Sequence, residues 1–473
     1  MSSRTDLPFL VVLVVLALAT VCVAAVQLTT HIPLSPWEPS IAMESIRLNT
    51  GAPVYETAHA THLYGPLLTV LFAGVFQIFG LNFIAARIVM SIFAFALALF
   101  LSSILCRGRS RFWVVLAFLL FLGINFRTNL IVFSTQPDWA AVFLAVVAVC
   151  LWTIRKESLL FCAGSIALFI AAFLFKQTSA AFALIPIVYL SCWQRPLRLR
   201  VLVVSAIPTI SVLVAIAVIR WLWPQMFAAM VTIPGAIKVY PARALTITVY
   251  LFVTFPIFLL GMWSMVRKRR PLEEIDRWLV SALFVIVPIS IWTMCKSGSG
   301  YNSLLFGYLG MTAVFIRQLD PVLESLRSLS AGRGMLAAIG IVLTIFVSFF
   351  VQYEHDVALL NVRHGDDRYD AAVAVAHRTG AISPQDPTIA YRANRYVGRS
   401  LFFELDTHAV NGNWPAELPA TLSQEMAHSE YVIRVQSYVP TPVFDRGLLR
   451  NNFHPLAIDE LKGSAYTVWK RTP

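Results

Sequence analysis

The chain has 473 residues, of which 58% are hydrophobic and only 13% are charged, and its mean hydropathy is +0.72. A soluble protein carries about a quarter charged residues, so this composition excludes one. Many windows of about twenty apolar residues follow one another, which predicts a polytopic α-helical membrane protein. The net charge of +12 does not indicate nucleic acid, because the basic residues cluster in short loops, where they set membrane orientation.

The apolar windows predict eleven membrane spans. The first, Leu7 to Leu28, is long for a signal-peptide core and is interpreted as a retained span. Basic loops place the N-terminus on the cytoplasmic side of the membrane and the C-terminus outside. The predicted spans are 7–28, 83–105, 112–125, 138–154, 158–175, 178–193, 201–222, 245–266, 278–294, 302–316 and 335–352.

A polar loop, residues 29–82, separates the first two spans and is long for a membrane protein of this kind. Apolar residues at i, i+3 and i+4 spacing after Pro36 predict an amphipathic helix at the membrane interface, ending near Gly51. The apolar run Pro66 to Phe79 is short for a span. If it crossed the membrane, the basic cluster 107–111 would lie outside, so an interfacial helix is favoured.

The composition changes after Gln352, which predicts two domains: a membrane domain, 1–352, and a small extracytoplasmic α/β domain, 353–473. In the second domain, period-two alternation predicts strands and helical periodicity predicts helices. The predicted strands are 387–392, 431–435 and 465–470, and the predicted helices are 369–379 and 419–430.

Four stretches together resemble the GT-C class of membrane glycosyltransferases, most of all the branch with protein O-mannosyltransferases and the lipid A aminoarabinose transferase. The resemblance covers about residues 7–320. Many relatives have Asp, often in an acidic pair, where this chain has Trp-Glu-Pro. The stretches are Trp37-Glu38-Pro39 with RLNTGAPVY; Tyr64-Gly65-Pro66-Leu67 running to Phe79-Gly80 and Ala86-Arg87-Ile88; Gln136-Pro137-Asp138; and Lys176-Gln177-Thr178 with Lys296-Ser297-Gly298 and Asn302.

The resemblance implies inverting transfer of a sugar, hexosyl or pentosyl, from a polyprenyl-phosphate carrier to a glycan, lipid or protein acceptor outside the membrane. Such a reaction needs a carboxylate that accepts the acceptor's proton. Glu38 is the predicted base, and the alternative is a helix N-terminal acid favoured by the helix dipole. Glu44 is the second candidate. Asp138 is a third, with helix capping as its alternative.

The reaction also needs cations that hold the carrier phosphate. Lys176, Lys296 and Arg87 are the predicted phosphate ligands, although lysine and arginine at a membrane boundary often only snorkel to the headgroups. The predicted substrate-binding residues are Tyr64, Gln177, Asn302 and His62.

His59 and His62 make a poor metal site without a third ligand, so neither a metal nor another cofactor is expected. The resemblance leaves a divalent metal ion open as the alternative, because some relatives use one. A membrane transporter or lipid-carrier flippase is the alternative function, because it too would use many helices. It is less favoured, because few ionisable residues lie in mid-span and no matching halves are visible.

Overall fold

The computed structural model describes residues 7–56, 62–154, 158–194, 199–267, 272–327, 329–351, 368–408, 415–436 and 441–472. The fold is mainly helical. The helices up to residue 350 are α1 (Leu7–Thr29), α2 (Trp37–Asn49), α3 (Pro66–Phe79), α4 (Phe83–Leu105), α5 (Arg111–Gly123), α6 (Asp138–Ile154), α7 (Leu159–Phe175), α8 (Ile185–Trp193), α9 (Leu199–Leu222), α10 (Pro224–Phe227), α11 (Ile233–Ala236), α12 (Arg243–Thr254), α13 (Pro256–Arg267), α14 (Glu274–Met294), α15 (Leu305–Arg317), α16 (Leu319–Arg327) and α17 (Ala331–Phe350).

Short helical turns of other types occur between these helices. They are the 3-10 turns Ile124–Arg127, Ile131–Phe133, Gln177–Leu184 and Tyr301–Leu304 and the π-helical turn Ala228–Thr232. Three of the predicted spans, 112–125, 178–193 and 302–316, therefore combine a 3-10 turn with an α-helix.

Five of the described helices, α1, α4, α9, α14 and α17, are long and apolar enough to cross a membrane. Helices α12 and α13 would form a sixth span, but they meet at an angle of 78°. The span predicted over 245–266 is therefore not one straight helix but two helices with a break between them. The break falls at Phe255, because the residue before a proline is disfavoured in the α conformation, and Pro256 begins the next helix. The count of eleven spans is not confirmed.

Helix α2 confirms the predicted helix in the first loop, but its surroundings differ from the expected interfacial position. Every side chain from Glu38 to Arg47 is buried. Helix α3 packs against α2 on one side and the C-terminal residues cover it on the other. The predicted amphipathic face is thus enclosed by protein on several sides. The helix ends before Gly51, whose φ of +71° is readily adopted only by glycine.

Residues 368–472, called the C-terminal unit below, contain five helices and one three-stranded antiparallel sheet among the parts described. The strand order is β1-β3-β2, with Tyr431 opposite Lys470 and Phe453 opposite Arg471. The elements are α18 (Tyr369–Thr379), α19 (Pro387–Asn394), α20 (Leu401–Thr407), α21 (Ala420–Ala427), β1 (Tyr431–Val435), α22 (Thr441–Arg450), β2 (Phe453–Leu456), the 3-10 turn Asp459–Leu461 and β3 (Tyr466–Arg471).

The strand predicted at 387–392 is wrong, because this segment forms α19. Asp386 caps the helix by accepting a hydrogen bond from the Thr388 N–H, and Pro387 occupies the first helical position. These two signals outweigh the apparent alternation. The strands near 431–435 and 465–470 and the helices near 369–379 and 419–430 are confirmed. Strand β2 was not predicted, since Pro455 lies within it; it is an edge strand, where proline is tolerated.

The C-terminal unit packs directly on the start of the first loop. The ring centroids of Trp37 and Phe402 lie 5.6 Å apart. The hydroxyl groups of Ser40 and Ser400 form a hydrogen bond, and Ile32 joins the hydrophobic core around Tyr369. The first turns of α2 are therefore fixed between the membrane helices and the C-terminal unit.

Candidate active site

Glu38 and Arg87 form an ion pair that is completely buried. Glu38 lies in the first turn of α2 and Arg87 in the first turns of α4, and neither side chain has any exposed surface. Arg87 Nε lies 3.0 Å from Glu38 Oε1, and Arg87 Nη2 lies 2.6 Å from Oε2. This two-point contact is the strong, directional form of an arginine–carboxylate pair.

The remaining hydrogen-bond partners of Arg87 are backbone carbonyls. Arg87 donates its remaining hydrogen bonds to the carbonyls of Gln27, Thr30 and Ile32 at 2.9, 2.5 and 2.6 Å. A guanidinium has five N–H donors, so none remains for a carrier phosphate in this arrangement. This geometry therefore does not favour the phosphate-binding role predicted for Arg87.

Glu38 accepts two further hydrogen bonds. The N–H groups of Leu34 and Thr135 donate to it at 2.7 and 3.3 Å. Both of its oxygens are thus engaged by α4, by the chain before α2 and by the segment before α6. Such contacts are expected of a carboxylate that fixes the relative positions of these three elements.

The short segment Ser134 to Asp138 brings several predicted site residues together. Thr135 binds Glu38 as described, and Gln136 Oε1 accepts a hydrogen bond from Asn302 Nδ2 at 3.0 Å. Asp138 follows as the first residue of α6. Four separate sequence stretches, around residues 38, 138, 176 and 302, meet through this segment.

Asp138 and Lys176 form the second buried ion pair of the site. Lys176 Nζ lies 2.5 Å from Asp138 Oδ1, and the side chains are 14% and 1% exposed, respectively. Asp138 Oδ2 is buried and has no hydrogen-bond partner among the described residues. A buried carboxylate oxygen without a partner is costly. Both oxygens of Glu38 accept hydrogen bonds, whereas Asp138 has one oxygen available as an acceptor. Its partner Lys176 is a partly accessible cation.

Tyr64 and Gln177 lie beside this pair. Gln177 Nε2 donates to the Leu63 carbonyl at 3.3 Å, and the Gly65 N–H donates to the Phe175 carbonyl at 3.3 Å. These bonds attach the residues before α3 to the end of α7. Burial raises the pKa of Tyr64, and the charge of Asp138 adds to the effect. Tyr64 is therefore a neutral phenol near the Asp138 carboxylate.

His62 is buried and neutral. Its Nδ1 accepts the Tyr64 N–H at 3.0 Å, so Nε2 carries the proton and donates to Thr69 Oγ1 at 3.1 Å. Burial lowers the pKa of His62 to about 3. The Tyr55 hydroxyl also contacts Thr69 Oγ1, at 3.0 Å. His62 thus orders the loop beside Tyr64. His59, its predicted neighbour in the loop, lies outside the described residues.

Glu44 holds the turn that follows α2. It is completely buried, and its Oε1 accepts the Tyr55 N–H at 2.6 Å. Tyr55 has a φ of +57°, a left-handed conformation that a large side chain rarely adopts. The carboxylate stabilises this strained residue. Glu44 therefore has a structural partner of its own, apart from the 134–138 segment.

Lys296 follows α14, and this stretch of chain contacts both α11 and the loop after it. Its Nζ donates to the Pro234 carbonyl at 2.9 Å, and the Ser297 N–H donates to the Lys238 carbonyl at 2.8 Å. Burial lowers the pKa of Lys296. A nearby anion would relieve this cost, so Lys296 remains suited to phosphate binding.

Arg127 was not among the predicted site residues, although the structure buries it completely. Its Nη2 donates to the hydroxyls of Thr254, Tyr308 and Tyr250 at 2.6, 3.0 and 3.3 Å, while Nε and Nη1 have no hydrogen-bond partner among the described residues. A buried cation with only neutral partners is costly. The available signal was an arginine in the apolar stretch GINFRTNL, on the side of the membrane that the charge pattern predicts to be outside.

The described residues contain no cluster of three or more His, Cys, Asp or Glu side chains that could hold a metal ion. The site is built instead from two buried carboxylate–cation pairs and their neutral hydrogen-bonding neighbours.

The fold is similar to two kinds of solved structure. One is ArnT from Cupriavidus metallidurans bound to undecaprenyl phosphate, with 12% identity over 97% of this chain and 99% of that chain and a TM-score of 0.53. The other is the oligosaccharyltransferase AglB from Archaeoglobus fulgidus, solved with a tethered acceptor peptide and, separately, with an inhibitory peptide and a dolichol-phosphate. Each AglB structure has 14% identity over 90% of this chain and 69% of that chain and a TM-score of 0.52.

No family model and no curated protein sequence matches the chain. Both structural neighbours are GT-C class membrane glycosyltransferases. The similarity confirms the GT-C fold that the sequence motifs indicated, and it extends through the C-terminal unit.

Proposed function

We propose that this chain is a glycosyltransferase that moves a sugar from a polyprenyl-phosphate carrier to an acceptor. The observation that carries the proposal is the Asp138–Lys176 pair, which supplies a cation and an unpartnered carboxylate oxygen together. The fold supports it, because ArnT was solved with undecaprenyl phosphate and AglB with a dolichol-phosphate. Transfer from a sugar phosphate requires a cation that binds the phosphate and a carboxylate that accepts the acceptor's proton.

The reaction is a single displacement that inverts the anomeric carbon. The acceptor hydroxyl oxygen forms a bond to that carbon while the bond from the carbon to the phosphate oxygen breaks. The hydroxyl proton passes to a carboxylate, and the polyprenyl phosphate leaves with one more negative charge. Cations near the phosphate stabilise that charge as it develops.

Lys176 has two partners in this scheme. Without carrier, its ammonium group binds Asp138. An arriving phosphodiester carries the same single negative charge as a carboxylate, and it competes for the ammonium group through its two unesterified oxygens, which are strong acceptors for a charged donor. Asp138 then loses its partner and becomes a better proton acceptor. Binding of the carrier thereby prepares the base, so that phosphate recognition and proton transfer are coupled.

This scheme gives Asp138 the role of base and Glu38 that of a positioning residue. Glu38 was the first candidate from the sequence, and its role as base stays a prediction. Its four hydrogen bonds from Arg87, Leu34 and Thr135 favour positioning instead. Loss of these bonds would be needed before it could accept a proton.

The remaining residues line the path of the substrate. Lys296 and the newly recognised Arg127 supply further positive charge for the carrier phosphate. Tyr64, Gln177, Asn302 and His62 would orient the sugar or order the loop that does so, since each contacts the 62–65 or the 134–138 segment.

The domain organisation belongs to the same proposal. Residues 1–352 form the membrane domain, with 29–82 as its catalytic loop, and 353–473 form an extracytoplasmic domain. The N-terminus is cytoplasmic, and the reaction takes place on the outer face of a bacterial-type inner membrane.

Carrier binding by the purified protein tests the phosphate site. Native mass spectrometry with undecaprenyl phosphate should give a saturable one-to-one complex. Lys176→Met should weaken it by about 10- to 100-fold, as expected for loss of a charge-assisted bond. Lys462→Met, which removes an exposed lysine from the C-terminal unit, is the matched control and should leave binding unchanged. Equal binding by wild type and Lys176→Met would contradict the proposed role of Lys176.

A further inference from the structure

A polar cavity lies between the last turn of α2 and the C-terminal unit. Its volume is about 350 Å³. A second cavity of about 710 Å³ adjoins it, and the two share Tyr396, Glu425 and His428. Together they have the size of a ligand site. The first cavity, called the Arg47 pocket below, is lined chiefly by Arg47, Tyr396, Arg399, Thr421, Gln424 and Glu425.

Arg47 is the unusual member of this pocket. The residue is only 5% exposed, and its buried Nε has no hydrogen-bond partner among the described residues. Burial lowers the pKa of Arg47; the negative charge of Glu44 opposes this effect and the positive charge of Arg399 adds to it. Burying a guanidinium without hydrogen-bond acceptors is strongly unfavourable. A ligand that supplied those acceptors would remove the penalty.

The other charged groups of the pocket have protein partners, although Glu425 Oε2, which lies 3.6 Å from Arg399 Nε, accepts no hydrogen bond among the described residues. Arg399 Nη1 donates to Glu404 at 2.8 Å, and the Tyr396 hydroxyl donates to Glu425 Oε1 at 2.8 Å. The Arg399 N–H donates to the same Glu425 oxygen at 3.3 Å. These bonds fix the walls of the pocket and leave Arg47 as the group that needs an acceptor.

We propose that the Arg47 pocket binds the acceptor of the transfer reaction, and that this acceptor is a saccharide carrying an acidic group. The acidic group accepts hydrogen bonds from Arg47, and neighbouring sugar residues extend into the second cavity.

The lining favours a sugar over an apolar or peptide ligand. The two cavities present amide, hydroxyl, imidazole, guanidinium and carboxylate groups beside the apolar side chains of Ala381, Ile382 and Val397. Sugar hydroxyls can both donate and accept, so they match such a mixed lining. Tyr396 is 41% exposed and offers an aromatic face on which a sugar ring can stack.

The position of the pocket favours an acceptor over the donor. Arg47 lies nine residues after Glu38 on the same helix, which is about 14 Å along its axis. One helix therefore links the pocket to Glu38, and the lining of the pocket includes none of the residues proposed for proton transfer or phosphate binding. It would bind a part of the acceptor remote from the attacking hydroxyl. This inference rests on the proposed glycosyltransferase function.

Direct binding without the donor tests the pocket separately from the reaction. The full-length protein in detergent would be titrated with a glucuronate-containing tetrasaccharide, a tetrasaccharide 6-phosphate and neutral chitotetraose. Wild type should bind one or both acidic probes about 10- to 100-fold more tightly than the neutral one. The two acidic probes distinguish a carboxylate from a phosphate.

Variants then assign the binding to the pocket. Arg47→Met should abolish the preference for acid, and Gln424→Ala, a change at an exposed residue, should weaken binding of all tetrasaccharides. Arg450→Met is the matched control, because Arg450 pairs with Glu417 outside both cavities. Arg47→Met should also leave the unfolding temperature unchanged or raise it, since it removes a buried cation. A structural Arg47 would instead lower it.

Three results would overturn the proposal. They are equal affinity for acidic and neutral tetrasaccharides, an acid preference that persists in Arg47→Met, and tighter binding of an acidic tetraglutamate peptide than of either acidic sugar. Because the Lys176-dependent carrier binding is measured independently, failure here would leave the proposed glycosyltransferase function untouched.

Discussion

Arg87 holds both carboxylate oxygens of Glu38, at 3.0 and 2.6 Å, in a contact that is completely closed to solvent. The two residues lie 49 positions apart, on α2 and α4. The contact joins the first loop to the membrane helices at the point where the chain leaves α1. It explains how a polar loop acquires a fixed position beside the candidate active site.

The first prediction concerns the stability of this pair. Removal of one partner leaves an uncompensated buried charge, so Arg87→Met and Glu38→Gln should each destabilise the protein, by about 3–5 kcal/mol for loss of the arginine. The double variant should lose clearly less than the sum of the two single losses. Thermal unfolding in detergent measures all four proteins.

The exposed pair between Arg378 and Glu460 is the control for this cycle. Its single variants should change stability by less than about 1 kcal/mol, because water screens the charges. Strict additivity at Glu38 and Arg87 would mean that the two side chains do not act as a unit, contrary to the geometry.

The second prediction concerns Gly65, where the chain before α3 crosses the end of α7. A Cβ atom at this position would lie 1.9 Å from the Leu174 carbonyl oxygen, so Gly65→Ala cannot fit without moving one of the two segments. Lys176 lies two residues after Leu174. The substitution should therefore lower both the unfolding temperature and carrier binding.

Gly74, within α3, provides the matched control. A Cβ atom there meets no heavy atom within 4 Å, so Gly74→Ala should be neutral or stabilise by up to about 1 kcal/mol through helix propensity. If Gly65→Ala and Gly74→Ala behaved alike in unfolding and carrier binding, the close approach of α7 to Gly65 would be refuted.

The third prediction concerns pH and Asp386. Burial raises the pKa of Asp386 from 3.8 to about 6. The folded protein therefore binds more protons than the unfolded chain between these values, and stability falls as pH rises through this window. The total effect is about 3 kcal/mol. Asp386→Asn keeps the oxygen that caps α19, so it should stabilise the protein at pH 7.5 and have little effect near pH 4.

Asp370→Asn is the control for Asp386, since the Asp370 side chain is 72% exposed. Its effect on the unfolding temperature should be small at both pH values. A gain for Asp386→Asn that was equally large at pH 4 and pH 7.5 would show that the buried charge is not its cause.

The sequence predicts the main features of this fold because apolar length and helix signals act locally. The first loop, the helix that begins at Trp37 and the helix Pro66–Phe79 all follow from such signals. The helix at Pro387 was predicted as a strand because an alternating pattern was given more weight than its Asp-Pro start. The break at Phe255 had a local signal, Pro256, that was not used.

The partners of the site residues could not be predicted in the same way. The sequence identified Glu38, Arg87, Asp138 and Lys176 as candidate site residues. Which carboxylate pairs with which cation depends on the tertiary structure. Glu38 could equally have faced solvent or Lys176. Only the packing of α4 against the first loop assigns Arg87 to it. Arg47 was missed for the same reason, whereas Arg127 was missed because its one signal, an arginine in an apolar stretch, was given no weight.

The most direct test of the proposed function is turnover of radiolabelled polyprenyl-phosphate sugars by the purified protein. Wild type should release sugar to an acceptor or to water. Asp138→Asn should bind carrier but lose about 100-fold or more in rate, as expected for a general base. The folded fraction of Glu38→Gln should lose less. A rate in Asp138→Asn equal to wild type would contradict its role as base, and loss confined to Glu38→Gln would restore Glu38 to that role. If the protein bound these carriers but released sugar from none of them, the result would contradict the glycosyltransferase function and favour a flippase.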